Sequence, residues 1–133
     1  MSEREILFRG QTRRKGEKVR ISGEPVDSNW VYGGIFPGEG DFSIIYQTKP
    51  KIEKFTVYSD TVGQFTGLTD KNGTRIFEGD IIEYEGERYS INYLTHYARF
   101  SAVKPKTVFC VFAYQCGEVI GNIHDNPELL EGD

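Results

Sequence analysis

The sequence predicts a mainly β fold, and three observations carry that reading. Apolar residues recur in runs of about four to eight bounded by Gly, Pro, Asn or Asp, which is the punctuation of strands and turns. Aromatic residues make up 14% of the chain beside 15 glycines, the usage of a sheet-rich protein. The segment RYSINYLT alternates, placing Tyr89, Ile91 and Tyr93 on one face and Ser90 and Asn92 on the other.

In chain order, the runs predict strands at Ile6–Arg9, Trp30–Phe36, Phe42–Gln47, Lys54–Tyr58, Val62–Thr66, Arg75–Phe77, Ile81–Tyr84, Arg88–Thr95, Tyr97–Val103, Thr107–Tyr114 and Glu118–Ile123. The segment VFCVFAY, Val108 to Tyr114, has no polar face and reads as a central strand covered on both sides. At the C-terminal end Asn126 is placed to cap a short helical turn, with Pro127 at its first position and Leu129 and Leu130 free to dock. Ile35–Tyr46 and Ile76–Tyr84 share a faint IF…G-D echo, which turn chemistry explains without duplication.

With 133 residues the chain fits one domain with a real core. Cys110 and Cys116 form no C-x-x-C pair, no apolar leader follows the start, and no run is long enough to span a membrane, so the expectation is a cytoplasmic protein with free thiols. Charge is uneven: residues 1–20 carry seven Lys/Arg against three Glu, whereas the chain as a whole is at −4. The basic cluster Arg13, Arg14, Lys15 and Lys18 reads as a solvated turn, with contact to nucleic acid or an acidic partner as the alternative.

The stretch TGLTDKNGTRIFEGDII, Thr66 to Ile82, is the densest in acids and glycines. A calcium loop starting at Asp70 fails, because glycine falls at its fourth position and Ile81 at its twelfth. Asn72-Gly73 is instead a hairpin signal whose two residues tolerate positive φ, with Asp70 accepting the turn's N–H groups, and Gly79-Asp80 restarts the chain into the next strand. Glu83 and Glu85 read as an exposed strand face. His96 and His124 share no ligand spacing, and no nucleophile elbow or dinucleotide fingerprint is present, so no cofactor or metal is expected. The aromatics Trp30, Tyr32, Phe36, Tyr46, Phe65, Phe77, Tyr84, Tyr89, Tyr93 and Tyr97 exceed what a small core needs, and Trp30–Tyr32 and Tyr93–Tyr97 stand out as candidate contact surfaces.

The order VGQ, TGL, DKNG and EGDI between Asp60 and Ile82 resembles the YopX family of phage and prophage proteins, and ILFRGQ (Ile6 to Gln11), NWVYGGI (Asn29 to Ile35) and EVIGNIHDNPELL (Glu118 to Leu130) resemble its other blocks. The resemblance implies a small antiparallel or mixed β-barrel with an SH3-like component, of phage or prophage origin, and supplies no catalytic residues. Spacing departs from the family between Gly10 and Asn29, so residues 12–29 read as a mobile insertion within a single domain, and a role for the basic cluster would be particular to this chain. The resulting expectation is a non-enzymatic module that binds a protein partner, with Trp30 and Tyr32 as apolar anchors and Arg13, Arg14, Lys15 and Lys18 as the electrostatic part. The alternatives are nucleic-acid binding through that basic segment, a metal-dependent hydrolase built on Asp70, Glu78 and Asp80, and self-association through a sheet edge.

Overall fold

The computed structural model describes residues 6–12, 29–95, 98–104, 107–109 and 116–131. Among the described residues eleven strands follow one another: β1 (Phe8–Gln11), β2 (Trp30–Pro37), β3 (Phe42–Gln47), β4 (Glu53–Tyr58), β5 (Gly63–Thr69), β6 (Arg75–Phe77), β7 (Asp80–Tyr84), β8 (Glu87–Leu94), β9 (Arg99–Lys104), β10 (Thr107–Phe109) and β11 (Glu118–Asn122). Short 3-10 turns occupy Ser59–Thr61 and Pro127–Leu130. The fold is thus mainly β with a C-terminal helical turn, as the strand punctuation predicts. Hydrogen bonding orders the strands β4-β3-β2-β1-β5-β6 and β10-β9-β8-β7-β11, and every pairing is antiparallel. Neither order closes on itself, so among the described residues the expected barrel is replaced by two open sheets.

The chain forms two compact units, one of residues Ile6–Gln64 and the other from Phe65 onward. In the first, β2 divides its ladder: Trp30–Gly33 pair with β1, and Gly34–Pro37 pair with β3. The change of partner falls on Gly33-Gly34, where absent side chains let the strand turn a corner. A Cβ on Gly33 would collide with the main-chain carbonyl of Tyr46, and one on Gly34 would meet the Tyr46 ring. The curl also brings β4 over β1, since a Cβ on Gly10 would lie 2.8 Å from Val57 Cγ2. These strands therefore meet through side-chain packing rather than by closing a hydrogen-bonded barrel. Ile45 and Val57 are fully buried in this unit, and the Gln11 N–H donates to Thr61 Oγ1 at 2.9 Å.

In the second unit Ile76, Ile82, Tyr89, Ile91 and Ala102 form the core, with Leu68, Tyr84, Phe100 and Val119 packed against it. β8 keeps the predicted alternation: Tyr89 and Ile91 are buried, while Asn92 Nδ2 donates to Ser90 Oγ at 2.8 Å on the other face. In β7 both Ile81 and Ile82 are buried, so its polar face begins only at Glu83, which is exposed and lies 3.5 Å from Arg88 across the strand pair. Of the segment expected to be a central strand, only Val108 and Phe109 are described. Among the described residues Thr107–Phe109 pair with β9 at the end of the strand order, while residues 110–115 lie outside the described residues. A continuous apolar run records burial but not which neighbours supply it.

Two turns organise this unit. The loop after β5 is closed by Asp70 N–H to Thr74 O at 2.9 Å and Gly73 N–H to Asp70 O at 3.0 Å. Only Gly73 has positive φ, at 82°, so this is a three-residue loop ending in a left-handed glycine rather than a two-residue turn with Asn72 also left-handed. The Asp70 carboxylate draws the loop into that shape, as described below. Nothing lies within 4 Å of a Cβ placed on Gly73, so Gly73→Ala tests backbone strain alone. A loss of about 1 kcal/mol in chemical denaturation is expected.

The second turn sits before β7. Gly79, at φ 93°, donates its N–H to Ile91 O at 2.8 Å and accepts from Ile123 N–H at 2.9 Å, so both of its main-chain groups are used. At the C-terminus the expected cap differs: Asn126 Oδ1 accepts from Asn122 N–H at 3.2 Å and makes no side-chain bond into the following 3-10 turn. The turn is held instead by Leu129 N–H to Asn126 O at 3.0 Å and Arg88 Nη1 to Leu129 O at 3.2 Å.

Candidate functional site

Strand registers decide which side chains share a surface, because residues directly opposite one another project to the same face. Phe36 pairs with Ile44, Gly34 with Tyr46, Phe42 with Tyr58, Ile44 with Thr56 and Tyr46 with Lys54. One face of β2-β3-β4 therefore carries Phe36, Phe42, Ile44, Tyr46 and Tyr58, with Thr56 and Lys54. The other face carries the buried Ile45 and Val57. Phe36 and Tyr46 stack with centroids 4.7 Å apart, and Phe42 and Tyr58 lie 5.2 Å apart. Phe36 is 49% exposed and Phe42 42% exposed, so the aromatic surface of the first unit is offered to solvent rather than spent on the core.

This face has a charged border. Beyond Phe42 and Tyr58 lie Glu39, Asp41 and Asp60, all exposed, joined at that end by Ser59 N–H to Asp41 O at 2.8 Å. At the opposite end lie Lys49, Lys51 and Lys54, also exposed, with Lys51 Nζ 3.3 Å from Glu53. With strands rising about 3.3 Å per residue, the two borders stand about 20 Å apart.

Trp30 and Tyr32 sit on β2 opposite Gln11 and Arg9. Tyr32 is 44% exposed, whereas Trp30 is half-buried with the Arg9 guanidinium 4.6 Å over its ring. This cation–π contact ties Trp30 to β1 and leaves Tyr32 as the more accessible of the two expected anchors. Arg13, Arg14, Lys15 and Lys18 lie outside the described residues, as do His96, Tyr97 and Cys110. Tyr93 is exposed and meets Phe100 edge-on at 5.2 Å, and Cys116 is a free, exposed thiol.

The carboxylates of the second unit are bound to backbone. Asp70 Oδ1 accepts from Asn72 N–H at 2.8 Å and Thr74 N–H at 2.9 Å, and Oδ2 accepts from Val119 N–H at 2.9 Å. Burial pushes this carboxyl's pKa up. The N–H groups of Val119, Thr74 and Asn72, with the charge of Lys71, more than offset that effect and hold it below the usual 3.8. Lys71 N–H to Gly117 O at 3.1 Å reinforces the link, so the loop clasps the start of β11. Asp80 Oδ2 accepts from Phe77 N–H at 2.7 Å across its own turn. Among the described residues, no three His, Cys, Asp or Glu side chains come together in a way that would hold a metal ion.

Phe36, Phe42, Ile44, Tyr46 and Tyr58 are not distinguishable as a surface from sequence, because the adjacent Ile44 and Ile45 put a large apolar residue on each face of β3. The usable signal is the β2–β3 hairpin register, which brings the even-numbered aromatics into line. Among the described residues no helix is long and apolar enough to cross a membrane.

The chain is similar to solved structures, among them protein EF1440 from Enterococcus faecalis, with 28% sequence identity and a TM-score of 0.53 over 97% of this chain and 100% of that one. A search of curated proteins finds no match. The family model described as YopX protein matches residues 38–131, a span that holds Phe42, Ile44, Tyr46 and Tyr58 as well as the Asp70 clasp. That match covers more than half of the chain, and the chain belongs to the YopX family.

Proposed function

We propose that this is a non-enzymatic, cytoplasmic accessory protein of a phage or prophage, a β module that binds a protein partner through the aromatic face of β2-β3-β4. The observation that carries the reading is the exposure of Phe36 and Phe42 beside stacked Tyr46 and Tyr58. Aromatic side chains dominate binding energy at protein interfaces, since they bring large apolar area with few torsions to freeze. Tyr32 extends the contact along β2 as a further anchor. The carboxylates Asp70 and Asp80 serve the turns that hold the second unit, which supports a structural role for them over a hydrolytic one.

The same aromatic rings offer platforms for bases, but Glu39, Asp41 and Asp60 at one end of the face oppose Lys49, Lys51 and Lys54 at the other, so no continuous basic track follows the rings for a phosphate backbone, which favours a protein ligand. The test is capture from nuclease-treated extract of the native cell, comparing the wild type with Phe36→Ser/Phe42→Ser. Both residues are about half exposed and each packs on a tyrosine, so the variant should unfold at a lower midpoint yet stay folded at the capture temperature, as circular dichroism checks, while losing roughly tenfold or more of the retained partner. Equal capture by both proteins would remove the face from consideration. A signal that vanishes with nuclease would transfer the reading to nucleic acid.

A further inference from the structure

The borders of the aromatic face carry opposite charge, and their placement specifies a partner. Glu39, Asp41 and Asp60 lie at one end of β2-β3-β4, and Lys49, Lys51 and Lys54 lie at the other, with Glu53 offsetting one of the lysines. A two-fold axis lying in the contact plane and running across the strands over Ile44 would set the acidic end of one copy against the basic end of another. Such an axis also places Phe36, Phe42, Tyr46 and Tyr58 of one copy against those of its mate. An isologous contact requires a surface complementary to itself, which an apolar centre with opposite charges at its two ends provides. We infer that the face binds a second copy of this chain, forming a two-fold dimer with strands stacked face to face. This inference rests on the proposed binding role of the same face and names the occupant.

The size of the surface bounds the affinity. Three strands about 4.8 Å apart and about 20 Å long give a footprint near 300 Å², well under the ~800 Å² per partner of a standard interface. The charged loops must therefore take part, the contact is in the micromolar range or weaker, and salt weakens it.

Sedimentation of the full chain from about 1 µM to about 1 mM at low salt tests this directly. The wild type is expected to pass from monomer to dimer over that range. Glu39→Lys/Asp41→Lys makes both ends basic and Lys49→Glu/Lys54→Glu makes both ends acidic. Each variant alone should dimerise at least about tenfold more weakly, and an equimolar mixture should recover the dimer as a heterodimer. That recovery also shows that both variants are folded. A wild type that stays monomeric throughout, a dimer indifferent to both charge reversals (as pairing through the β4 edge would be), or a mixture that fails to recover would each overturn the inference. If the wild type is monomeric while Phe36→Ser/Phe42→Ser still loses a different captured protein, the dimer falls and the binding face stands.

Discussion

Asp70→Ala is expected to lower stability by about 3 kcal/mol, a large share of the roughly 5–15 kcal/mol that holds a domain of this size. The carboxylate accepts three backbone N–H groups, two inside its own loop and one at Val119, and the residue is only 5% exposed. Alanine leaves those donors facing a gap and releases the loop from β11. The shift is read as a lower urea midpoint. The same geometry sets a pH signature. Because the folded-state pKa lies below 3.8, the carboxylate's contribution is complete above the unfolded value and is lost as pH falls below 3.8 through the folded value. Asp70→Asn removes that titration, so its stability should start lower at neutral pH and fall less steeply than the wild type's on acidification. An acid limb of unchanged slope in Asp70→Asn would show that other groups govern it.

Gly33→Ala is expected to be comparably severe, costing about 3 kcal/mol or abolishing the fold of the first unit. Its φ is not in the left-handed region, so the cause is space: the added methyl meets the Tyr46 carbonyl, a main-chain atom within the β2–β3 ladder that cannot rotate aside. Gly34→Ala provides the control. There the obstacle is the Tyr46 ring, which can swing away, so the stability cost is smaller but the stack with Phe36 is lost. Thermal unfolding followed by circular dichroism separates the two. Equal midpoints for Gly33→Ala and Gly34→Ala would argue against the corner at Gly33.

Strand positions were legible because turn chemistry brackets them: Gly38-Glu39-Gly40-Asp41 isolates β2 from β3, and Asp70–Thr74 isolates β5 from β6. The role of Asp70 as an acceptor for turn N–H groups was legible for the same reason, since a short carboxylate beside Asn-Gly has few other local partners. Its bond to Val119 was not, because the donor lies 49 residues away. Closure is not legible in the sequence where one strand serves two ladders. Gly33-Gly34 signals a special backbone, but sequence does not say that the strand changes partner there. The aromatic face was obscured by β3, in which Ile44 and Ile45 are both apolar although Ile45 alone is fully buried. Trp30 is conspicuous in sequence as the single tryptophan, yet its ring is occupied by Arg9, and the open rings belong to less conspicuous phenylalanines.

The central claim is that the aromatic face of β2-β3-β4 is where this protein meets a protein partner. A photo-crosslinking amino acid in place of Phe36 interrogates that face in the native cell, and the same amino acid in place of Tyr93, which is 45% exposed in the other unit, serves as the matched control. The account predicts discrete protein adducts from position 36 and none from position 93, with a band at twice the chain mass if the partner is a second copy. No adduct from position 36, or the same adducts from both positions, would contradict it.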